Sequence, residues 1–198
     1  WHGSLGIKKI ENDSQALNTN DYFVSLAQKS SQMVDYWISN SAFETQVYRS
    51  AFWDVQNVLE LGHPRNDILI SGTSAALQAV AGHYHTEGKK LLLYAPTFRE
   101  NGSTDVYRLD YAALRGSLTE KFGGEWEFLV RFHPRLVNHD DALIPDVPWV
   151  HDASRYPDIQ ELLAASDCMI SDYSSCMFDY MLTGRPVFVF ATDIESYD

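Results

Sequence analysis

The sequence is poor in cysteine and in basic residues, and each shortage excludes a class of protein. Two cysteines among 198 residues, Cys168 and Cys176, are too few for a disulfide-stabilised secreted domain. Cys168 also falls in an apolar strand pattern, where a free thiol packs as a small hydrophobe, so we expect a reducing, cytoplasmic environment. With 15 Lys and Arg against 27 Asp and Glu, the formal net charge is −12, which argues against nucleic acid as a ligand.

Long apolar runs are also missing. The longest, including 91–95 and 186–191, are strand-sized and far short of the roughly 20 residues that a membrane-spanning helix needs. Any contact with a membrane surface is therefore expected from parts of the protein outside this chain. Because the sequence begins at Trp1 and ends at Asp198, just after an apolar run where an α/β protein usually continues, we expect a fragment of a longer protein.

Short apolar runs alternate with helical patterns, which predicts an α/β fold with a parallel sheet covered on both faces. The predicted strands are 90–95, 126–132, 167–171 and 186–190. The predicted helices are 110–121, 157–165 and 175–183, preceded by helices at 21–30, 42–53 and 73–85 and an extended segment at 34–39. The polar segment 87–90 is the predicted boundary between residues 1–86 and residues 87–198.

A turn follows the predicted strand 167–171 and leads into a helix, and it reads DYSS over 172–175. At a helix start, free backbone N–H groups and two hydroxyls can surround an anion such as a diphosphate. The carboxyl end of a parallel strand is also where open α/β sheets bind ligands. The alternative is that Ser174 or Ser175 only caps the helix, and on this motif alone capping is favoured.

Basic and hydroxyl-bearing side chains follow two more of the predicted strands. Arg131 and His133 lie at the end of the strand at 126–132, and Thr97 and Arg99 follow the strand before it. Arginine binds phosphate through a bidentate fork, and histidine can donate a hydrogen bond or a proton to a departing phosphate. Taken singly, a solvated strand end with an ordinary surface histidine explains each segment about as well.

Two histidines precede the clear strands. His2 is followed by Gly3 and Lys8, and such a histidine can accept the proton of an attacking hydroxyl, because the unperturbed imidazole pKa of about 6.5 lies near working pH. His63 lies in the segment GHPRND, where turn chemistry alone accounts for the Gly, Pro, Asn and Asp.

A series of short motifs runs through the chain. They are WHGSLGIKK (1–9), GHPRND (62–67), LLYAPTFR (92–99), RFHP (131–134), SDYSS (171–175), FDY (178–180) and GRPVFVF (184–190). Taken in this order, they resemble the CDP-glycerol glycerophosphotransferase family over nearly the whole chain. The resemblance implies a Rossmann-like domain within a glycosyltransferase-B type arrangement of two domains. Residues 1–86 would be the end of an N-terminal, acceptor-side domain with the interdomain segment, and residues 87–198 a truncated nucleotide-donor-binding domain.

The resemblance also implies roles for individual residues. His2 would be the general base, His133 would contact the donor diphosphate, and Ser174 and Ser175 would hold phosphate oxygens. The other substrate-binding residues that it implies are Gly3, Lys8, Thr97, Arg99, Arg131 and Asp172. The role of Asp172 stays open between orienting a basic partner and binding a donor hydroxyl.

The implied activity is transfer of glycerol phosphate from CDP-glycerol, or of a related group from another CDP-polyol, with release of CMP. The acceptor would be a hydroxyl of a lipid-linked polyol phosphate or glycan, in bacterial teichoic-acid or capsule synthesis. The enzyme would work peripherally on the inner face of the cell membrane, without a cofactor or a metal. Two alternatives stay open: a sugar-nucleotide glycosyltransferase or epimerase of the same fold, and a non-catalytic nucleotide-binding module.

Overall fold

The computed structural model describes residues 9–14, 21–99, 104–136 and 143–197. The chain divides into two compact units, Trp1–Asn66 and Asp67–Asp198. This division lies before the predicted boundary at 87–90. Two helices that precede that boundary belong to the second unit, because Leu69 and Val80 are buried in the same core as the central strands.

The first unit contains a two-stranded parallel sheet with helices around it. Its elements are α1 (Asp21–Gln32), β1 (Trp37–Ser39), α2 (Ala42–Ala51) and β2 (Val58–Glu60). Helix α2 begins where the Ser41 hydroxyl accepts a hydrogen bond from the backbone N–H of Glu44. The predicted helices at 21–30 and 42–53 and the extended segment at 34–39 are therefore confirmed, whereas the three-residue strand β2 was not predicted.

A buried histidine–carboxylate contact follows strand β2 in this unit. The His63 Nε2 atom lies 3.0 Å from both carboxylate oxygens of Glu44, and the side chains are each only 4% exposed. Residues Pro64–Asn66 form a 3-10 turn directly after it. The GHPRND segment is thus a turn, as its composition indicates, with a histidine that anchors the turn to α2.

The second unit is built on a five-stranded, fully parallel sheet. Its elements are α3 (Asp67–Ser71), α4 (Thr73–Tyr84), β3 (Lys90–Tyr94), α5 (Tyr111–Phe122), β4 (Trp126–Val130), β5 (Val150–Asp152), α6 (Ile159–Ala165), β6 (Cys168–Ser171), α7 (Cys176–Met181) and β7 (Val187–Val189). The strand order is β5-β4-β3-β6-β7. The predicted α/β class, the parallel sheet and the four predicted strands are confirmed.

Both faces of this sheet are buried, as its near-continuous apolar strands predict. Alternate residues of β3 enter different cores: Leu91 and Leu93 pack with α4 and α6, while Leu92 and Tyr94 pack with α5. Each fully buried leucine contributes roughly 1.5–3 kcal/mol by leaving water. Over the described residues, no helix is both long enough and apolar enough to cross a bilayer.

Local chemistry shifts some helix ends from their predicted positions. Helix α6 starts at Ile159 and not at Pro157, because the Asp158 carboxylate accepts a hydrogen bond from the N–H of Gln160 and so forms the N-cap. Helix α7 ends at Met181, before the predicted Thr183, and Gly184 follows with a left-handed φ of 68°.

Candidate functional site

The strand order creates a switch point at the carboxyl edge of the five-stranded sheet. Strand β3 lies in the centre, and the chain adds β4 and β5 on one side of it and β6 and β7 on the other. The loops after β3 and β6 therefore leave adjacent strands in different directions and open a crevice between them. In open α/β sheets, ligands bind in such a crevice.

The Asp172 carboxylate joins these two loops. Its Oδ1 atom accepts hydrogen bonds from the backbone N–H of Thr97, at 2.8 Å, and of Tyr173, at 2.6 Å. Its Oδ2 atom accepts a hydrogen bond of 2.8 Å from the Arg99 guanidinium, and the side chain is only 3% exposed. Of the two roles left open for Asp172, the structure supports the first, because both of its oxygens hold protein donors.

The Arg99 guanidinium is buried between two carboxylates. Besides Asp172, it binds Asp193, with Nε 2.7 Å from Oδ2 and Nη2 3.0 Å from Oδ1. Burial lowers the pKa of Arg99, but the hydrogen bonds to Asp193 and Asp172 outweigh burial and raise the pKa above its ordinary value. The contact of Arg99 with a ligand phosphate stays a prediction. Its observed hydrogen bonds link Asp172 and Asp193, so Arg99 connects the loops that carry them.

The Arg131 side chain lies at the end of β4 without a carboxylate partner among the described residues. Its Nη1 atom donates to the backbone oxygens of Ala153, at 3.0 Å, and Tyr156, at 2.7 Å. Burial lowers the pKa of Arg131, and the nearby Tyr84 and Asp158 side chains oppose that shift only in part. A half-buried cation without a hydrogen-bonded carboxylate is an electrostatic reason to bind an anion.

The His133 side chain is exposed at the same edge of the sheet. Its Nδ1 atom accepts a hydrogen bond of 3.2 Å from the backbone N–H of Arg135, so the neutral ring carries its proton on Nε2. Partial burial, followed by the charge of Arg135, lowers the pKa of His133 below its usual value. The ring lies 5.3 Å from that of Phe98, which belongs to the loop after β3.

The two serines of the 172–175 turn differ at the start of α7. Ser175 occupies the N-cap position of α7, yet its side chain makes no capping hydrogen bond. The Ser174 hydroxyl accepts a long hydrogen bond of 3.4 Å from the N–H of Cys176 and lies 3.0 Å from the Cys176 sulfur. Capping therefore stays an alternative for Ser174, whereas the Ser175 hydroxyl does not cap the helix. Burial raises the pKa of the Cys176 thiol to about 11, so it is protonated at neutral pH.

Thr97 adds a further unsatisfied group at the switch point. Its hydroxyl oxygen is buried and has no hydrogen-bond partner among the described residues. The structure thus gathers Thr97, Arg99 and Asp172 directly, and it places His133 against the same β3 loop. His2, Gly3 and Lys8 lie outside the described residues.

One residue of this site, Asp193, was not predicted from the sequence. Asp193 lies in the loop after β7, and an acidic loop carries no signal that identifies it as the partner of a distant arginine. Arg135, which the sequence places at the same strand end as Arg131 and His133, has its guanidinium 5.6 Å from the centre of the Phe98 ring.

Comparisons with known proteins support the family resemblance. The model of the CDP-Glycerol:Poly(glycerophosphate) glycerophosphotransferase family matches residues 1–198. A teichoic acid poly(glycerol phosphate) polymerase of Staphylococcus epidermidis is 35% identical over 209 aligned residues, which cover 100% of this chain and 29% of the relative.

Similar solved structures show the same fold. That of the wall teichoic acid polymerase TagF, in a variant soaked with CDPG, matches with a TM-score of 0.80 at 34% identity and covers 100% of this chain and 49% of that one. A UDP-GlcNAc 2-epimerase from Neisseria meningitidis matches with a TM-score of 0.54 at 15% identity, over 91% of this chain and 51% of that one. The epimerase is a likeness of fold alone. The chain spans about half or less of the length of these proteins.

Proposed function

Since the chain belongs to the CDP-glycerol:poly(glycerophosphate) glycerophosphotransferase family, we propose that the carboxyl edge of its five-stranded sheet binds the diphosphate of CDP-glycerol. The protein then transfers glycerol phosphate from this donor to a hydroxyl of a polyol-phosphate acceptor and releases CMP. The acceptor is lipid-linked, and the protein works peripherally at the inner face of the bacterial membrane, in teichoic-acid or capsule synthesis. A glycosyltransferase-B arrangement of two domains belongs to the same proposal.

The observation that carries the proposal is the half-buried guanidinium of Arg131, which among the described residues donates hydrogen bonds to backbone oxygens and to no carboxylate, although Asp158 is near enough to attract it. A diphosphate supplies a negative charge in direct contact with this guanidinium. The neutral His133 ring adds an Nε2–H donor. The Ser175 hydroxyl, which makes no capping hydrogen bond to α7, adds a second group that can bind a phosphate oxygen. Hydrogen bonds that involve charged groups contribute about 1.5–3 kcal/mol each, so the loss of one such contact is expected to weaken donor binding by tenfold or more.

The chemistry is displacement at the phosphorus that bears glycerol. The acceptor oxygen forms a new P–O bond, and the bond from that phosphorus to the bridging oxygen of the diphosphate breaks. The electron pair leaves with CMP, and the proton of the acceptor hydroxyl passes to a base, for which His2 is proposed. Arg131 and His133 stabilise the charge that develops on the phosphoryl oxygens and on the departing CMP. Gly3 and Lys8 accompany His2 on the acceptor side.

A donor panel tests the proposal. The full-length protein is incubated with a glycerol-phosphate primer and with CDP-glycerol, CDP-ribitol or a UDP-sugar in turn, and the released nucleotide and the primer length are measured. We expect CMP release with primer extension. Consumption of UDP-sugars alone would instead support a glycosyltransferase or epimerase, and donor binding without CMP release would support a non-catalytic module.

A histidine variant and a matched control test the role of His133. His133→Ala is expected to lower turnover and weaken donor binding. His85→Asn is the matched control, because His85 is exposed at the C-terminus of α4 in a left-handed conformation that asparagine tolerates. Equal CMP release by both variants would refute the role of His133.

A further inference from the structure

We infer that Asp193 is a positioning residue for the donor site, acting through Arg99 and Asp172 on the two loops that form the crevice. The expected change in donor KM rests on the proposed function. The expected change in amide hydrogen exchange does not depend on any substrate. Among the described residues, Asp193 makes no hydrogen bond to Arg131, His133 or Ser175. Its effect passes through a chain of buried and partly buried hydrogen bonds.

The first link joins the loop after β7 to the loop after β3. The Asp193 carboxylate receives both Nε and Nη2 of Arg99, at 2.7 and 3.0 Å, which is a bidentate contact. The Tyr173 hydroxyl donates to the same carboxylate at 3.1 Å. Asp193 therefore holds one donor from the β3 loop and one from the β6 loop.

The second link joins Arg99 to the backbone that carries the phosphate-binding groups. The Nη2 atom that contacts Asp193 also donates to Asp172 at 2.8 Å. Asp172 in turn holds the N–H groups of Thr97 and Tyr173. One of these amides belongs to Thr97, whose hydroxyl has no partner among the described residues, and the other belongs to Tyr173, which directly precedes Ser174. The orientation of Arg99 therefore sets the spacing of the two loops.

Because Arg99 is buried, both the Asp172 and the Asp193 carboxylates are needed to satisfy and orient its guanidinium. Asp172 alone offers Arg99 one hydrogen bond, and Arg99 is only 5% exposed. Asp193 supplies the bidentate contact that fixes the guanidinium plane. The plane is enclosed by aromatic rings, since its central carbon lies 5.0 Å from the Tyr173 ring and 4.7 Å from the Tyr197 ring, and these two rings stack 3.7 Å apart.

The network also explains a carboxylate beside a proposed phosphate site. A bare carboxylate at Asp172 would repel a diphosphate. Arg99 donates to the Oδ2 atom of Asp172, and two backbone N–H groups donate to its Oδ1 atom. These protein donors neutralise the Asp172 carboxylate and so reduce its repulsion of a diphosphate. Without Asp193, Arg99 keeps only its hydrogen bonds to Asp172 and to the Thr97 carbonyl. The guanidinium plane then loses its bidentate contact, and Asp172, which accepts from the Thr97 and Tyr173 amides, is held less firmly.

Asp193→Asn tests the inference against the matched control Glu195→Gln, which removes the same charge from an exposed position in the same loop. Amide hydrogen exchange at Thr97 and Tyr173 reports the network without any substrate. We expect exchange at both amides to accelerate about tenfold or more in Asp193→Asn. In the transfer reaction, the donor KM is expected to rise by about fivefold or more with the acceptor KM unchanged, and Asp193→Glu is expected to restore part of the loss.

The outcomes separate this inference from the proposed function. Faster exchange in Asp193→Asn in a protein that does not use CDP-glycerol supports the network and refutes the proposed substrate. Normal CDP-glycerol use with Asp193→Asn indistinguishable from Glu195→Gln in both measurements overturns the positioning role. If Asp193→Asn fails to fold, Tyr173→Phe removes one donor to Asp193 alone, and unchanged exchange at Thr97 in that variant overturns the inference.

Discussion

The Arg99 guanidinium lies 2.8 Å from the Asp172 carboxylate, and the two side chains are 5% and 3% exposed. This pair joins the loops that follow β3 and β6, which are adjacent strands at the switch point of the sheet. Its position makes Arg99 part of the framework of the site. Arg131, at the end of the neighbouring strand, has no hydrogen-bonded carboxylate among the described residues and can bind an anion.

Arg99→Met is expected to destabilise the protein strongly. It leaves the buried Asp172 carboxylate and the partly buried Asp193 carboxylate without their cation, and breaking a buried pair by removing one partner costs about 3–5 kcal/mol. Urea-induced unfolding measures this change. Arg108→Met is the control, because the Arg108–Asp105 pair is 56% and 89% exposed and should contribute less than about 1 kcal/mol. Similar losses in both variants would contradict the framework role of Arg99.

The stabilising effect of Asp193 should depend on pH. Its hydrogen bonds to Arg99 lower the pKa of the Asp193 carboxyl below its value in the unfolded chain. The stabilisation is therefore present above the unfolded pKa of about 3.9 and is lost as pH falls through the lower folded value. The Tm difference between wild type and Asp193→Asn should be largest near neutral pH and disappear in strong acid. A constant difference across this range would show that the charge of Asp193 is not what stabilises the fold.

His133 should act as a neutral hydrogen-bond donor. Because burial and Arg135 lower the pKa of His133, the ring is neutral at pH 7 and above and donates through Nε2. His133→Gln, which keeps an N–H donor, should retain more donor-dependent kcat/KM than His133→Ala. Above about pH 6.5, the kcat/KM profiles of wild type and His133→Gln should run parallel. An additional loss of wild-type activity through a pKa near neutrality would instead indicate a protonated, acid-catalytic His133.

The sequence predicts the central sheet well because its strands are buried on both faces. Runs such as Leu91–Leu93 have no polar interruption, so their length and composition identify them without tertiary information. Strand β5 has three residues, of which only Val150 is apolar, and it forms because β4 offers a parallel edge. Such a strand has no signal of its own in the sequence.

The functional distinction between two arginines could not be predicted in the same way. Arg99 and Arg131 both follow apolar strands, and the sequence assigns both to phosphate neutralisation. Asp193, which binds Arg99, lies 94 positions away in the chain. Among the described residues, Arg131 donates hydrogen bonds only to backbone oxygens. Whether a carboxylate neutralises an arginine depends on residues that are distant in the sequence. The local sequence pattern around the arginine does not reveal those residues.

The affinity of the full-length protein for CDP-glycerol, measured by calorimetry in Arg131→Met and Lys121→Met, tests the central claim most directly. Lys121 is an exposed cation near the end of α5, which leads into the opposite edge of the sheet from Arg131. We predict that Arg131→Met weakens binding by about 10–100-fold, equivalent to roughly 1.4–2.8 kcal/mol, while Lys121→Met binds as wild type. Wild-type affinity in Arg131→Met would contradict the account.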